Sequence, residues 1–263
     1  MKSLFTVLLL SLSFLHIGNS LAADPLVSIE EATEATEEFR GYFNFFYDSA
    51  DGSLLLEIDR WNQEFLYVNS LATGIGSNDI GLDRGQIGAS RVVKFERHGN
   101  KVFLKHINLD YRAQTDNELE RLAVEEAFAE SILWGFTVKA ATENRVLVDV
   151  TDFLLNDAHG VATTLAAREQ GTYSVDKSRS AVYLPRTKNF PFNSEFEALL
   201  TFTGSTRSNL LRSVTPTSQS ISVRQHHSFV ELPDGDYTPR IFHPQSGYWS
   251  RSFEDYAAPI NED

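Results

Sequence analysis

Cysteine is absent from all 263 residues. That excludes disulfides, thiol catalysis and cysteine-type zinc sites. Positive charge is scarce: 23 Lys and Arg stand against 36 Asp and Glu, for a formal net charge of −13. An acidic balance of this size repels phosphate backbones and argues against nucleic acid as a partner. Beyond the N-terminus no apolar run approaches the ~20 residues a helix needs to span a bilayer. There is no fixed-period repeat and no low-complexity tract. No Gly-x-Ser-x-Gly elbow occurs, and no His-Glu-x-x-His. The Gly74 and Gly76 pair lacks both the third glycine of a dinucleotide loop and the Lys-Ser/Thr of a Walker loop.

What is present begins with an export signal. Lys2 supplies a positive start, residues 4–15 are almost wholly apolar, and Ser20 and Ala22 are small residues where a signal peptidase reads. Residues 1–22 read as a secretory signal peptide, and its removal takes only Lys2, from −13 to −14. The expected location is periplasmic or extracellular. An exported chain without disulfides must be held by its core alone, which fits a bacterial envelope or secreted protein. Apolar residues at 42% suffice for that core.

Residues 23–40 are acidic and polar and read as a linker or a short helix. From Gly41 the pattern is that of strands. GYFNFFYDSADGSLLLEIDR gives two strands about an Asp51-Gly52 turn. EFLYVNSLATG is a third apolar run. SRVVKFERHGNKVFLKHIN is a hairpin turning at Gly99-Asn100. Thr115 and Glu118 have capping-box spacing, and Leu119, Leu122, Ala123 and Ala127 follow at helical spacing, so a helix is predicted near 116–131. FTVKAATENRVLVDVTDFLL reads as a hairpin with Glu143-Asn144 at its tip, and 157–167 as a short helix. SAVYLPR, EFEALLTFTG and SISVRQHHSFVEL return to strand. Residues 233–263 read as an extended C-terminal segment. The expected fold is mainly β (α+β): an antiparallel sheet, sandwich or half-barrel built of hairpins, with one solid helix and one or two short ones.

Two stretches invite a functional reading. In SVRQHHSFVELP, Ile221, Val223, Gln225, His227 and Phe229 fall on one strand face, and Ser222, Arg224, His226, Ser228 and Val230 on the other. His226 and His227 therefore diverge and cannot chelate one ion together without a bulge. They read as satisfied strand histidines or as an interface pair. The loop 73–86, TGIGSNDIGLDRGQ, offers Asn78, Asp79, Asp83 and Arg84 among four glycines. It is a candidate binding loop, although its spacing is not that of an EF-hand; the competing reading is an ordered surface loop. Arg179, Arg186 and Lys188 form a local basic patch, expected to pair with surplus carboxylates.

Taken in order, GSNDIGLDRGQ, VLVDVTDFLLNDAHG, SRSAVYLPRTKNFP with EFEALLTFTG, and VRQHHSFVELPD followed by SGYW resemble the N-terminal region of bacterial secreted zinc-dependent metalloproteases. In that family the region is a domain of unknown function, and the resemblance runs from about Gly41 onward. It implies a catalytic domain further on, with an extended His-Glu-x-x-His motif of metzincin type. No zinc ligand or catalytic Glu of that motif maps onto this sequence. The resemblance thus implies a non-catalytic accessory domain whose partner is a metalloprotease catalytic domain in cis or trans, with no cofactor in this chain and zinc only in the catalytic domain. The sequence reaches PINED about where the family passes into its protease half, so a truncated frame, a fragment or a stand-alone copy is expected. An independent secreted module binding peptide, glycan or a surface partner is the alternative. A hydrolase acting through the 73–86 loop is the weakest reading, for no activated nucleophile with an oriented base is visible. The crowd of Phe242, Tyr248, Trp249, Phe253 and Tyr256 is the candidate partner face, with His226 and His227 as further interface candidates; folding back onto the domain's own core is the competing fate.

Mass spectrometry of the exported protein should find its N-terminus within a residue or two of Ala23. An intact Met1 on that form would refute the signal peptide.

Overall fold

The computed structural model describes residues 26–238, 240–245, 247 and 249–258. The expected signal peptide and Tyr248 lie outside the described residues. In chain order the strands are β1 (Glu37–Phe39), β2 (Phe45–Asp48), β3 (Ser53–Ile58), β4 (Phe65–Leu71), β5 (Ile87–His98), β6 (Lys101–His106), β7 (Tyr111–Arg112), β8 (Ser131–Thr142), β9 (Arg145–Asp149), β10 (Thr172–Val175), β11 (Ala181–Val182), β12 (Lys188–Phe190), β13 (Asn193–Ser205), β14 (Ser220–Glu231) and β15 (Glu254–Asp255). The helices are α1 (Ile29–Ala32), α2 (Glu118–Ala127), α3 (Thr151–Leu154), α4 (Val161–Ala167) and α5 (Asn209–Val214). No helix among the described residues is long and apolar enough to cross a membrane.

Thirteen strands form one antiparallel sheet bent into a half-barrel, in the order β1-β2-β3-β9-β8-β6-β5-β4-β14-β13-β10, with β11 and β12 also paired to β13. Local hairpins carry much of this path, and their turns sit where the sequence places them. Gly52 and Gly99 take positive φ, and Glu143 holds the β8–β9 tip at φ 55. Long-range steps join the hairpins: β3 pairs with β9, and β4 lies between β5 and β14.

The concave side is filled by aromatic rings. Phe229 stands at their centre, 5.1–6.2 Å from the rings of Phe43, Phe65, Tyr67, Phe95, Phe153 and Phe196. A second, smaller cluster joins Ile29, Phe46, Leu55, Ala140 and Leu147. It explains why Leu54 and Leu55, neighbours in β3 that point to opposite faces, are both buried. α1 brings Ile29 to that cluster, and Phe39 of β1 stacks on Phe45 at 4.8 Å. The acidic segment before Gly41 therefore supplies both a short helix and the first strand of the sheet.

α2 differs from expectation in two respects. Its N-cap is Asn117, whose side chain accepts from the Leu119 N–H, while Thr115 accepts from the Asn117 N–H one step earlier. Its face is also turned: Leu119 is 75% exposed and Leu122, Ala123 and Ala127 face solvent, while Val124 is the buried residue. The reason is the small layer beneath it. β7 pairs in parallel with β15, Tyr111 stacks on Phe128 at 3.9 Å, and Phe128 meets Tyr256 at 5.2 Å. Val124 and Phe128, four apart, form the stripe that meets this layer.

Replacing Phe229 by Ala removes the ring at the centre of the cluster. We expect a loss of about 3–5 kcal/mol in urea unfolding, the range for emptying a packed aromatic site. A loss below 1 kcal/mol (~) would mean that the cluster repacks.

Candidate functional site

The long ladder between β13 and β14 forms one side of a cleft lined by charged side chains. Its register sets Glu197 directly opposite His226, Glu195 opposite Ser228, and Leu199 opposite Arg224. Because side chains alternate, Glu195 and Glu197 share one face with Arg224, His226 and Ser228. His226 Nε2 lies 2.6 Å from Glu195 Oε2, and its Nδ1 3.3 Å from Glu197 Oε2. Ser228 Oγ and Asn193 Nδ2 also donate to Glu195, at 2.5 and 2.6 Å. Arg224 Nη1 approaches Glu197 Oε1 at 2.9 Å as an ion pair, but at an angle that leaves this buried oxygen without an aligned hydrogen bond. The Arg224 guanidinium lies over the Tyr183 ring at 4.7 Å.

A carboxylate only accepts, so a ring that donates to two carboxylates must carry both protons. His226 is thus an imidazolium. Burial pulls its pKa down, but the Glu195 hydrogen bond and the two nearby negative charges outweigh this and raise it. Burial likewise pushes the Glu195 carboxyl up, and the donors from His226, Ser228 and Asn193 more than offset it, leaving it lowered.

His227 lives in the opposite environment. It is fully buried, with Nδ1 2.9 Å from Tyr67 Oη and Nε2 2.9 Å from Gln225 Nε2. Burial drives its pKa down to about 3, so the ring is neutral. The same burial holds the Tyr67 phenol protonated, well above its ordinary range. Gln225 completes the network by accepting from the His159 N–H and donating to Asn156 O. A buried His227 cannot take part in an interface, which corrects one of the two expected interface histidines; the strand period that separates the pair also decides which one is lost.

The 73–86 loop is a packed element. Ile75, Ile80 and Leu82 are buried beneath it, and Thr73 Oγ1 accepts from the Arg224 N–H at 2.7 Å. At Gly74 a Cβ would lie 2.7 Å from both Leu82 O and Arg84 N, so this position excludes any side chain. Asn78 and Asp79 sit exposed on a 3-10 turn (Asn78–Ile80), and Asp83 is half-buried. Of the four candidate loop residues only Arg84 reaches the polar cleft, whose volume is about 480 Å³ and whose wall also includes Arg186, Lys188, Phe190, Glu195, Glu197, Arg224 and His226. Among the described residues no group of three His, Asp or Glu side chains is arranged to hold a metal ion.

The basic patch divides. Arg179 pairs with Asp176 at 2.8 Å as expected. Arg186 and Lys188 make no ion pair among the described residues, because Glu195, directly across from Lys188, has already committed its oxygens. Sequence reasoning missed Glu195 and Glu197. Their spacing of two in a strand, matching Arg224 and His226 in the next, was the available signal, but only the register makes them neighbours.

Phe253 separates from the other aromatic interface candidates: the Arg112 guanidinium covers its ring at 4.2 Å. Tyr256 also folds back, onto Phe128. Phe242 and Trp249 stay exposed.

A model of a domain of unknown function, DUF5117, matches residues 85–263, about two thirds of the chain. This chain belongs to the DUF5117 family. No curated protein and no solved structure matches it. The DUF5117 segment contains every residue named on the cleft wall except Arg84, which immediately precedes it.

The two histidines give stability opposite pH dependences. His226 keeps its proton to higher pH when folded than when unfolded. Its contribution is complete below the unfolded value near pH 6.5 and drains away as pH rises through the folded value. His227 stays neutral in the fold, so stability falls as pH drops from ~6.5 toward 3. Urea unfolding from pH 6 to 9 should therefore show a decline of at most ~1.4 kcal/mol per pH unit that His226→Gln removes. An unchanged alkaline slope in that variant would contradict the imidazolium assignment.

Proposed function

We propose that this chain is the non-catalytic N-terminal domain of a secreted zinc-dependent metalloprotease, exported and packing on or assisting a protease domain. The observation that carries this reading is the apolar surface of the segment after β14. Ile241 is 96% exposed and Trp249 fully exposed, with Phe242 and Tyr237 also open to solvent. Water-facing large apolar groups crowded in one segment mark partner surfaces. The layer of α2, β7 and β15, against which this segment is pinned at Phe253 and Tyr256, adds exposed Leu119 and Leu122. The resemblance to secreted zinc proteases supplies the partner: a domain that carries the zinc and its catalytic Glu.

A second reading is favoured by a different observation. The cleft on β13 and β14 presents Arg84, Arg186 and Lys188, which make no ion pair among the described residues, and this suits an independent secreted binding module.

The purified zinc protease domain of a full-length homologue, added in trans, should form a complex with this chain. Changing Trp249 and Phe242 to Ser should weaken it about thirtyfold, the ~2 kcal/mol expected of an aromatic hot spot, with circular dichroism unchanged. Absence of a complex at high micromolar concentration, or chelator-sensitive proteolysis by the isolated chain, would overturn the reading.

A further inference from the structure

We infer that the cleft on β13 and β14 recognises an acidic peptide segment that carries an apolar residue beside its carboxylates. The inner charges of the cleft cancel: Glu195 and Glu197 face the His226 imidazolium and the Arg224 guanidinium. Arg84, Arg186 and Lys188 remain on its wall, all exposed, and among the described residues none of the three makes an ion pair. Other lysines and arginines among the described residues also lack an ion pair; what sets these three apart is that they share one cleft with Phe190.

Each is carried on a fixed backbone. Lys188 lies on β12, paired to β13. Arg186 closes a 3-10 turn (Leu184–Arg186) set by Pro185. Arg84 follows buried Leu82 in a loop tied to β14 through Thr73. The cations are thus held apart by the sheet while their own carboxylate neighbours are engaged elsewhere. A ligand that neutralises them need not compete with a native ion pair.

The form of the ligand follows from the rest of the wall. Phe190 adds a half-exposed ring between cations, so the ligand gains by presenting an apolar group there. The volume of about 480 Å³ falls in the range of small-ligand clefts. Glu195 and Glu197 at the floor oppose a dense phosphate cluster, and the net charge of the chain opposes a long polyanion. Carboxylates on flexible side chains can reach the three cations while the peptide backbone stays clear of the floor. This inference shares no residue with the apolar surface after β14 on which the protease-domain reading rests, so either can fail alone.

The test is fluorescence anisotropy with the full chain and a labelled nine-residue peptide alternating glutamate and leucine. The same peptide with glutamine for glutamate, a glutamate–serine version, and inorganic phosphate as competitor complete the set. Saturable binding of the glutamate–leucine peptide is expected, weaker by tenfold or more for the glutamine version and severalfold for the serine version. Arg186→Glu with Lys188→Glu should abolish it, Arg84→Glu should weaken it at least fivefold, and Arg179→Glu, a paired arginine off the cleft wall, should leave it unchanged. Circular dichroism and unchanged urea midpoints check the fold of each variant. Equal binding of the glutamine peptide, no effect of the cleft reversals, or no binding at all overturns the inference. Displacement by low-millimolar phosphate would also overturn it, by identifying a general anion site.

Discussion

Strand register between β13 and β14 is the constraint on which the rest depends. Eleven residue pairs run from Asn193 opposite Val230 to Thr203 opposite Ser220. Along β14 the period of two sends Ile221, Val223, Gln225, His227 and Phe229 into the core and leaves Arg224, His226 and Ser228 on the cleft side. A slip by one residue would exchange the two sets. It would drive a guanidinium and an imidazolium among aromatic rings and place Phe229 in the cleft. The aromatic core and the charged cleft are therefore two consequences of one pairing, and neither can be changed in register without losing the other.

Buried polar groups reinforce this register where apolar packing alone would tolerate variation. Gln225 is fully buried, and its amide satisfies backbone groups of the segment after α3 on both sides, His159 N–H and Asn156 O. A buried amide costs free energy unless partnered, so the arrangement in which all partners meet is selected against its neighbours. Tyr67 on β4 does the same through His227, which ties β4 to β14 through side chains as well as through the ladder. Ala72 N–H donates to Arg224 O just beyond. The result is that Arg84, twelve residues further on, is delivered to the cleft by a loop whose two ends are both fixed.

Much of this was legible in the sequence because it is local. Asp51-Gly52, Gly99-Asn100 and Glu143-Asn144 announce their turns through positive φ, and the two faces of β14 follow from alternation alone. The orientation of α2 was not legible. Leu119 and Leu122 define the more obvious stripe, yet Val124 and Phe128 meet the layer made by Tyr111 and Tyr256, and Tyr256 arrives from more than a hundred residues away. The cleft was half legible. Arg84, His226 and the Arg186–Lys188 patch each stood out, but in three separate stretches. Nothing in a single sequence states that Glu197 lies opposite His226, and without that pairing the patch looks like surface charge awaiting any carboxylate.

The sheet also bears on where the DUF5117 unit begins. The family match starts at residue 85, inside the turn before β5. Yet β4, which ends at Leu71, is the strand between β5 and β14. Residues 85–263 alone would leave both of those strands with an open edge in the middle of the sheet, and unpaired backbone groups of that kind are costly when buried. β2 and β3 extend the other end of the same sheet by pairing with β9, and Phe43, Phe45 and Phe65 supply part of the aromatic cluster around Phe229. The folding unit therefore reaches back at least to β1. The part of the chain before the match is structural for the cleft as well as for the core, since Arg84 and the β4 pairing that positions β14 both come from it.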